Sequence, residues 1–326
     1  RMGRRCIEEN ELVLMSDKKK KKIKDINEGD TVVSHKEGAT VKNKVTAVMN
    51  NGLKDLYKIK TTDGKEVVLT DNHPVLTDKG WLTIEDGLVK GMSVAHLPKF
   101  DNISDTNSIT IDEAKLLGYL LTDGYLTDKT NQTIKATFNN YLYIDEISGI
   151  LKNKFGYSGT IKKRSDCDAF DIWLTDGNHG TKSTVKLWLK SLDLLEEKHK
   201  LKNSIQLISK MPEESLKFFI NRAFAGDGCV STSFNKNRPN GLRGAISFDT
   251  GDISFAKTIS NVLFRFGIPN NITYCKERKS FNTLSKDSWK IRIASSYGIK
   301  LFFKTFGFIY GKETQSKRLY DAINQR

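Results

Sequence analysis

Long apolar runs are missing from this chain. No uninterrupted stretch reaches the roughly 18 residues that a membrane-crossing helix needs, so none is expected. Cysteine is scarce: Cys6, Cys167, Cys229 and Cys275 stand far apart and form no C-x-x-C pair. That spacing offers neither a zinc site nor a disulfide framework, and it fits a reducing cytoplasm. No secretory signal is expected from the basic start Arg1-Met2-Gly3-Arg4-Arg5, which no apolar region follows. Acid is in deficit: 39 Asp and Glu face 53 Lys and Arg, a formal charge of +14. Such an excess favours a polyanionic partner, either nucleic acid or an anionic membrane surface. With 326 residues there is ample chain for two domains with their own cores.

What the chain does have is an internal echo. Leu116-Leu117-Gly118-Tyr119-Leu120-Leu121-Thr122-Asp123-Gly124 is an apolar helical run ending in Asp-Gly, and Ile220-Asn221-Arg222-Ala223-Phe224-Ala225-Gly226-Asp227-Gly228 repeats its form. The two acids stand 104 positions apart (227 minus 123). One such segment would read as a core helix with a C-terminal stop. Two, each followed by the same order of elements, read as a duplication. After the first come a strand at 133–138, a helix at 144–155, strands at 161–164 and 170–174 and a helix at 185–192. After the second come a strand at 243–248, a helix at 253–266, strands at 272–278 and 289–293 and a helix at 299–306. The pattern predicts a pseudo-twofold domain of two α/β halves.

Local signals agree with it. Thr110-Ile111-Asp112-Glu113 is a capping box for the first helix, and Pro212 suits the first turn of the second. Packed side by side, with Gly118, Ala223, Ala225 and Gly226 at the contact, the helices would bring Asp123 and Asp227 together at their negative ends, a site that attracts cations. Mg²⁺ suits a pair of carboxylates, with Mn²⁺ as an alternative, and the carbonyls of Thr122 and Gly226 could complete the ligation. Period-2 alternation turns Lys135 and Thr137, and Arg243 and Ser247, to the polar face of their strands; Lys162 with Arg164, Lys276 with Arg278, and Lys290 with Arg292 behave likewise. Such a face could follow a major groove, or be an ordinary solvated sheet surface.

The first hundred residues read as β-rich, with strands at 11–15, 30–35, 44–49, 56–61 and 66–70. Asn51-Gly52 and Asp63-Gly64 look like hairpin turns, and the lysine run 18–22 like an exposed loop or strand edge. A polar, aperiodic stretch at 100–108 reads as a linker.

From about residue 110 onward the chain resembles the monomeric homing endonucleases with paired LAGLIDADG motifs, here at 116–124 and 220–228. The resemblance implies cleavage of both strands of one long, asymmetric DNA site, with Asp123 and Asp227 as metal-holding acids. It also implies a lysine near each acid, for which Lys210 and Lys317 are the candidates, 87 positions (210 minus 123) and 90 positions (317 minus 227) downstream. They would polarise water or stabilise phosphate charge. Arg222 stands where the family usually has Gly, so looser packing of the second helix is expected.

Cys6, Thr70-Asp71-Asn72-His73-Pro74, Gly80-Trp81 and Lys90-Gly91-Met92-Ser93-Val94 together resemble the N-terminal part of an intein splicing domain, over about residues 6–97. Cys6 would attack the Arg5 carbonyl to give a thioester, and His73 would protonate the departing amide nitrogen. The resemblance gives Thr70 the role of holding that amide. Inteins close on His-Asn followed by Cys, Ser or Thr; positions up to Ile323-Asn324-Gln325-Arg326 do not supply this. The expectation is therefore N-terminal cleavage without completed splicing.

The overall expectation is a multidomain, monomeric protein. Residues 1–5 would be an upstream host (extein) remnant or a tag, 6–99 an all-β Hint-like splicing domain without its C-terminal block, and 100–109 a linker. Residues 110–326 would be an α/β pseudo-twofold LAGLIDADG endonuclease with two αββαββα repeats, about 110–212 and 213–326. Its partners would be double-stranded DNA, the flanking extein and a separate C-terminal intein fragment, with no membrane. The alternatives are a DNA-binding descendant that no longer cleaves, or an autoprocessing or split-intein fragment whose inserted domain is inert.

Overall fold

Short hairpins fill the N-terminal stretch. β1 (Leu12–Leu14) pairs antiparallel with β2 (Lys20–Lys22), β3 (Thr31–Lys36) with β4 (Ala39–Lys44), β5 (Tyr57–Lys60) with β6 (Glu66–Leu69), and β7 (Val75–Thr77) with β8 (Gly80–Leu82). This computed structural model describes residues 5–17, 20–36, 39–61, 66–95, 108–126, 133–175, 183–195, 207–208, 210–234, 242–280 and 283–324. The chain divides into two units, Arg1–Ser104 with Leu263–Asn271, and Asp105–Val262 with Ile272–Arg326. Among the described residues no helix is long and apolar enough to cross a membrane.

In the N-terminal hairpins Met15, Ile26 and Leu69 are buried, while Val48, Met49, Leu53 and Trp81 are exposed. The described core there is thin, and two-stranded hairpins are marginal by themselves. The strand expected at 44–49 does not form. β3 instead pairs with the segment just after it, Lys36 opposite Ala39, which closes a shorter loop than a partner at 44–49 would. Asn51-Gly52 is correspondingly no hairpin turn: Gly52, at φ +71°, takes its own N–H to Asn50 Oδ1 in a local turn. Asp63-Gly64 lies outside the described residues, though β5 and β6 pair on either side of it. The lysine run supplies β2, where Lys21 pairs with Asp30 at 2.7 Å. Most of the 100–109 linker also lies outside the described residues.

Thr110 opens the larger unit with the expected reciprocal cap. Its hydroxyl accepts from the Glu113 N–H at 3.3 Å, and the Glu113 carboxylate accepts from the Thr110 N–H at 2.8 Å. There follow α1 (Ile111–Asp123), β9 (Gly124–Leu126), β10 (Ile134–Phe138), α2 (Tyr141–Phe155), β11 (Thr160–Lys163), β12 (Phe170–Trp173) and α3 (Thr184–Ser191). The order then repeats as α4 (Glu213–Gly226), β13 (Gly228–Phe234), β14 (Leu242–Thr250), α5 (Ile253–Arg265), β15 (Asn271–Cys275), β18 (Ser288–Ile293) and α6 (Ser296–Phe306). A hairpin of β16 (Arg278–Ser280) and β17 (Thr283–Ser285), and a last helix α7 (Glu313–Asn324), are additions that the strand and helix patterns did not announce. Each repeat has a four-stranded antiparallel sheet, ordered β11-β12-β10-β9 and β13-β14-β18-β15. Pro212 caps α4 from outside the helix rather than entering its first turn.

α1 and α4 form the centre of this unit. Their apolar residues are buried nearly all round: Leu116, Leu117, Tyr119 and Leu120 on one, Leu216, Phe219, Ile220 and Phe224 on the other. Glycine sets the separation. A Cβ on Gly118 would stand 2.8 Å from both the Phe219 carbonyl and Arg222 Cβ. Arg222 does not loosen the contact as expected. Its Cβ fits against Gly118, and its guanidinium leaves sideways to form a bidentate pair with Glu146 on α2, at 2.6 and 2.7 Å. The glycines after the acids have a different task. A Cβ on Gly124 would come within 2.5 Å of the Leu120 carbonyl, and one on Gly228 would collide with that of Phe224. At each point the chain folds back over the last helical turn to start a strand.

Gly118→Val should therefore destabilise the larger unit by roughly 2–3 kcal/mol, the usual penalty of overpacking. Calorimetry with an unchanged Tm would overturn this account of the helix contact.

Candidate active site

Asp123 is the last residue of α1 and Asp227 follows the last residue of α4. Gly226 is what lets them meet, since a Cβ there would collide with the Asp123 carboxylate and the Thr122 hydroxyl. Thr122 Oγ1 lies 3.0 Å from Asp123 Oδ2 and 3.0 Å from the Gly118 carbonyl, which ties the acid to its own helix. Burial pushes the Asp123 carboxyl above the ordinary range, against opposing contributions from Thr122 and Lys312. Asp227 is pushed up to about 7, first by burial, then by the charge of Asp123, with Asp249 adding and Lys312 opposing. Two half-buried carboxylates thus stand together, with the charge of Asp123 opposing ionisation of Asp227, an arrangement that a bound cation would relieve.

The lysine beside them is Lys312, which the sequence reading missed. Its amino group donates to the carbonyls of Phe224 at 3.1 Å, Gly226 at 3.3 Å and Gly228 at 2.5 Å, at the end of α4. Burial lowers its pKa, with Asp123 and Asp227 among the groups acting in the other direction. Lys317 lies instead on the exposed side of α7, because Ser316, Leu319 and Ile323 turn that helix's other side inward. Lys210 sits half-buried in the turn before α4, its N–H bonded to the Leu207 carbonyl. Lys312 follows Asp227 by 85 positions (312 minus 227), and its place in an aperiodic loop gave spacing no means of preferring it to Lys317.

The donor set fits a hard divalent cation. It has two carboxylates with the Thr122 and Gly226 carbonyls nearby, few enough to leave places for water and phosphate oxygens, as Mg²⁺ and Mn²⁺ prefer. The Gly226 carbonyl already accepts from Lys312, so it is a shared oxygen rather than a dedicated ligand.

The sheets carry the predicted basic residues, but several are already engaged. Lys135 pairs with Asp171 at 2.5 Å and lies over the rings of Trp173 (4.5 Å) and Tyr125 (5.7 Å). The Thr137 hydroxyl donates to the other Asp171 oxygen at 2.7 Å. Arg164 forms a fork with Asp166 at 2.8 and 2.6 Å. Lys162 stands exposed opposite Asp171. On the second sheet Cys229, Ser247 and Arg292 form one row, and Lys290 reaches Asp249 at 3.5 Å in the next. Lys276 is exposed after β15. The side chains of Arg243 and Arg278 lie outside the described residues.

A second cluster sits in the N-terminal unit. The Cys6 N–H donates to Thr70 Oγ1 at 3.0 Å, the Thr70 N–H to the Cys6 carbonyl at 3.1 Å, and the His73 N–H to the Thr70 carbonyl at 3.0 Å. Two residues that sequence reasoning missed complete it: Asn51 Nδ2 reaches Cys6 Sγ at 3.2 Å, and Asn72 Oδ1 accepts from the Thr70 hydroxyl at 2.7 Å. Burial lowers the His73 pKa, helped by the Arg5 charge and opposed by the Cys6 backbone. Its Nδ1 is buried with no hydrogen-bond partner among the described residues. A neutral imidazole with an unused nitrogen beside the Arg5–Cys6 bond is suited to proton transfer there.

The chain is 23% identical over 312 residues to the replicative DNA helicase DnaB of Synechocystis sp., covering 93% of this chain and 34% of the helicase. It thus spans about a third of that relative's length. Similar solved structures include the I-LtrWI LAGLIDADG homing endonuclease bound to target DNA, at TM-score 0.43 and 13% identity over 67% of this chain and 92% of that one. Another is I-DmoI in complex with DNA and Ca, at TM-score 0.40 and 16% identity over 61% and 91%. Residues 214–307, running from the first turn of α4 through Asp227 to the end of α6, match the LAGLIDADG-like domain family.

Proposed function

We propose that residues 110–326 are a LAGLIDADG homing endonuclease that makes a divalent-metal-dependent double-strand break in a long DNA site. Residues 6–99 are then the N-terminal part of an intein splicing domain. The observation that carries the first reading is the pair of acids, Asp123 and Asp227, held at the ends of two packed, repeated helices with the Lys312 ammonium beside them. Asp123, Asp227 and the Thr122 and Gly226 carbonyls would hold Mg²⁺ or Mn²⁺. The bound cation would supply an acidified water and charge neutralisation at phosphate. Lys312 places a fixed positive charge where phosphate charge develops. The exposed cations Lys162, Lys276 and Arg292 hold the duplex through its backbone and grooves.

The N-terminal cluster supports a second activity. Cys6 Sγ attacks the Arg5 carbonyl carbon and passes its thiol proton to the neutral His73 imidazole; the Arg5–Cys6 C–N bond then breaks, and the imidazolium returns that proton to the freed nitrogen. Thr70 holds that nitrogen through its hydroxyl, and Asn51 steadies the sulfur. The few buried side chains and exposed Val48, Met49, Leu53 and Trp81 are what a β domain awaiting further strands would present. That favours a C-terminal intein fragment as partner, together with the flanking extein.

Three outcomes follow. Cleavage selection on a randomised duplex library with Mg²⁺ should yield double-strand breaks that Asp123→Asn and Asp227→Asn each reduce about a thousandfold or more. Binding without any wild-type cleavage would leave a DNA-binding descendant in place of a nuclease.

The pH dependence of stability should carry the mark of Asp227. Its folded-state pKa, about 7, lies above that of a free aspartate, so its contribution is fully present at low pH and is lost as pH rises through 7. In EDTA the wild-type Tm should fall from pH 5 to pH 8 more than that of Asp227→Asn. At pH 8 the variant should be more stable by on the order of 1–2 kcal/mol, and Mg²⁺ should raise the Tm of the wild type alone. Equal pH profiles would contradict the half-buried acid pair.

Excess thiol should release the residues before Cys6, and release should stop in Cys6→Ala and slow about a hundredfold in His73→Ala. Mass spectrometry showing an intact N-terminus in the wild type would remove the acyl-shift reading.

A further inference from the structure

Lys312 belongs to no helix or strand, yet its ammonium meets three carbonyls. A long, flexible side chain on a mobile loop would not stay there. The 307–312 connection between α6 and α7 is held by Asn221, a buried residue of α4 that uses all four side-chain hydrogen-bonding positions. Its Nδ2 donates to the carbonyls of Phe306 at 2.8 Å and Phe308 at 2.9 Å. Its Oδ1 accepts from the Tyr310 N–H at 3.1 Å and from Arg222 Nη1 at 2.8 Å. A second strut comes from the other repeat: the Tyr143 hydroxyl on α2 donates to the Tyr310 carbonyl at 3.0 Å. Gly311, at φ +71°, leaves room for that ring, which a Cβ would strike. The Arg222 guanidinium lies 4.1 Å from the centre of the Tyr310 ring, closing the clamp.

We propose that Asn221 is the positioning residue for Lys312, with Tyr143 as a second support, so that one helix presents Asp227 and also fixes the lysine beside it. Asn221 precedes Asp227 by under two turns, so loop and acid move as one body. Because Tyr143 lies in the first repeat, the lysine of the second repeat is registered across the boundary between them. As a statement about catalysis, this rests on reading the acids and Lys312 as a nuclease site; as a statement about geometry, it does not.

The test is made on the full chain with two variants. Asn221→Asp keeps the shape but turns oxygen toward the carbonyls of Phe306 and Phe308, and Tyr143→Phe removes one hydroxyl. Competitive acetylation read by mass spectrometry should find Lys312 at least about tenfold slower to react than exposed Lys317 in the wild type, since access requires local opening. In Asn221→Asp that gap should shrink to about twofold, with Tyr143→Phe between. If Asn221→Asp fails to fold, Tyr143→Phe decides alone. In cleavage, Asn221→Asp should lower kcat as Lys312→Met does, keep DNA affinity within about threefold, and add nothing in the double variant. Lys312 labelling unchanged in a folded variant, or multiplicative losses in the double variant, would overturn the proposal. Wild-type chain that cuts no DNA would overturn the nuclease reading, while the labelling still decides whether Asn221 holds Lys312.

Discussion

The close approach of α1 and α4 governs the larger unit. Two long apolar helices could pack at many separations, but only a bare Cα at Gly118 and Gly226 lets backbone meet backbone and acid meet acid. Burial of Leu117, Leu120, Phe219 and Phe224 drives the contact, and the absence of two β-carbons sets its distance. The raised pKa of Asp227 follows directly, since separate helices would leave each acid in its own solvent shell. The site is thus a by-product of packing that hydrophobic burial sustains against the repulsion it creates.

Arg222 shows how such packing absorbs an ill-fitting residue. A guanidinium in a helix interface would ordinarily be an uncompensated cost, but here Glu146 receives it bidentately, with the Tyr119 hydroxyl at 2.7 Å and Lys115 at 3.4 Å completing the acid's shell. Burial raises the Glu146 pKa, and the pairing with Arg222 more than offsets it. Buried pairs of this kind add little net stability, since desolvation consumes most of the attraction. Their effect is on geometry, here the angle at which α2, α4 and the Tyr310 loop meet.

Periodicity made much of this legible. The duplicated helix-strand order, the Thr110–Glu113 cap and the placing of both acids at helix ends all follow from spacing along the chain, and all appear in the structure. What eluded the sequence lies across strands or in loops. Alternation assigns Lys135 and Thr137 to the polar face, but only register puts Asp171 between them. β-propensity at 44–49 was genuine but lost to a nearer pairing partner. Lys317 looked suitable because it follows a helix, whereas the delivered lysine lies in an aperiodic loop whose path depends on Asn221, through contacts 85, 87 and 89 positions away in the chain. At Cys6 the set of residue types pointed to Thr70 and His73, and nothing in it announced Asn51.

The pairing of Lys135 with Asp171 gives the pseudo-twofold frame a direction. Each sheet pairs one lysine with an aspartate, but on the first Lys135 and Asp171 are largely buried and the lysine is stacked on aromatic rings, whereas on the second Lys290 and Asp249 meet in the open beside exposed Arg292. The first pair has surrendered its conformational entropy during folding, and the second surrenders most of its own only on contact. A symmetric ligand laid over both ends would meet unequal costs, so the molecule carries a head and a tail although its skeleton is nearly the same in both.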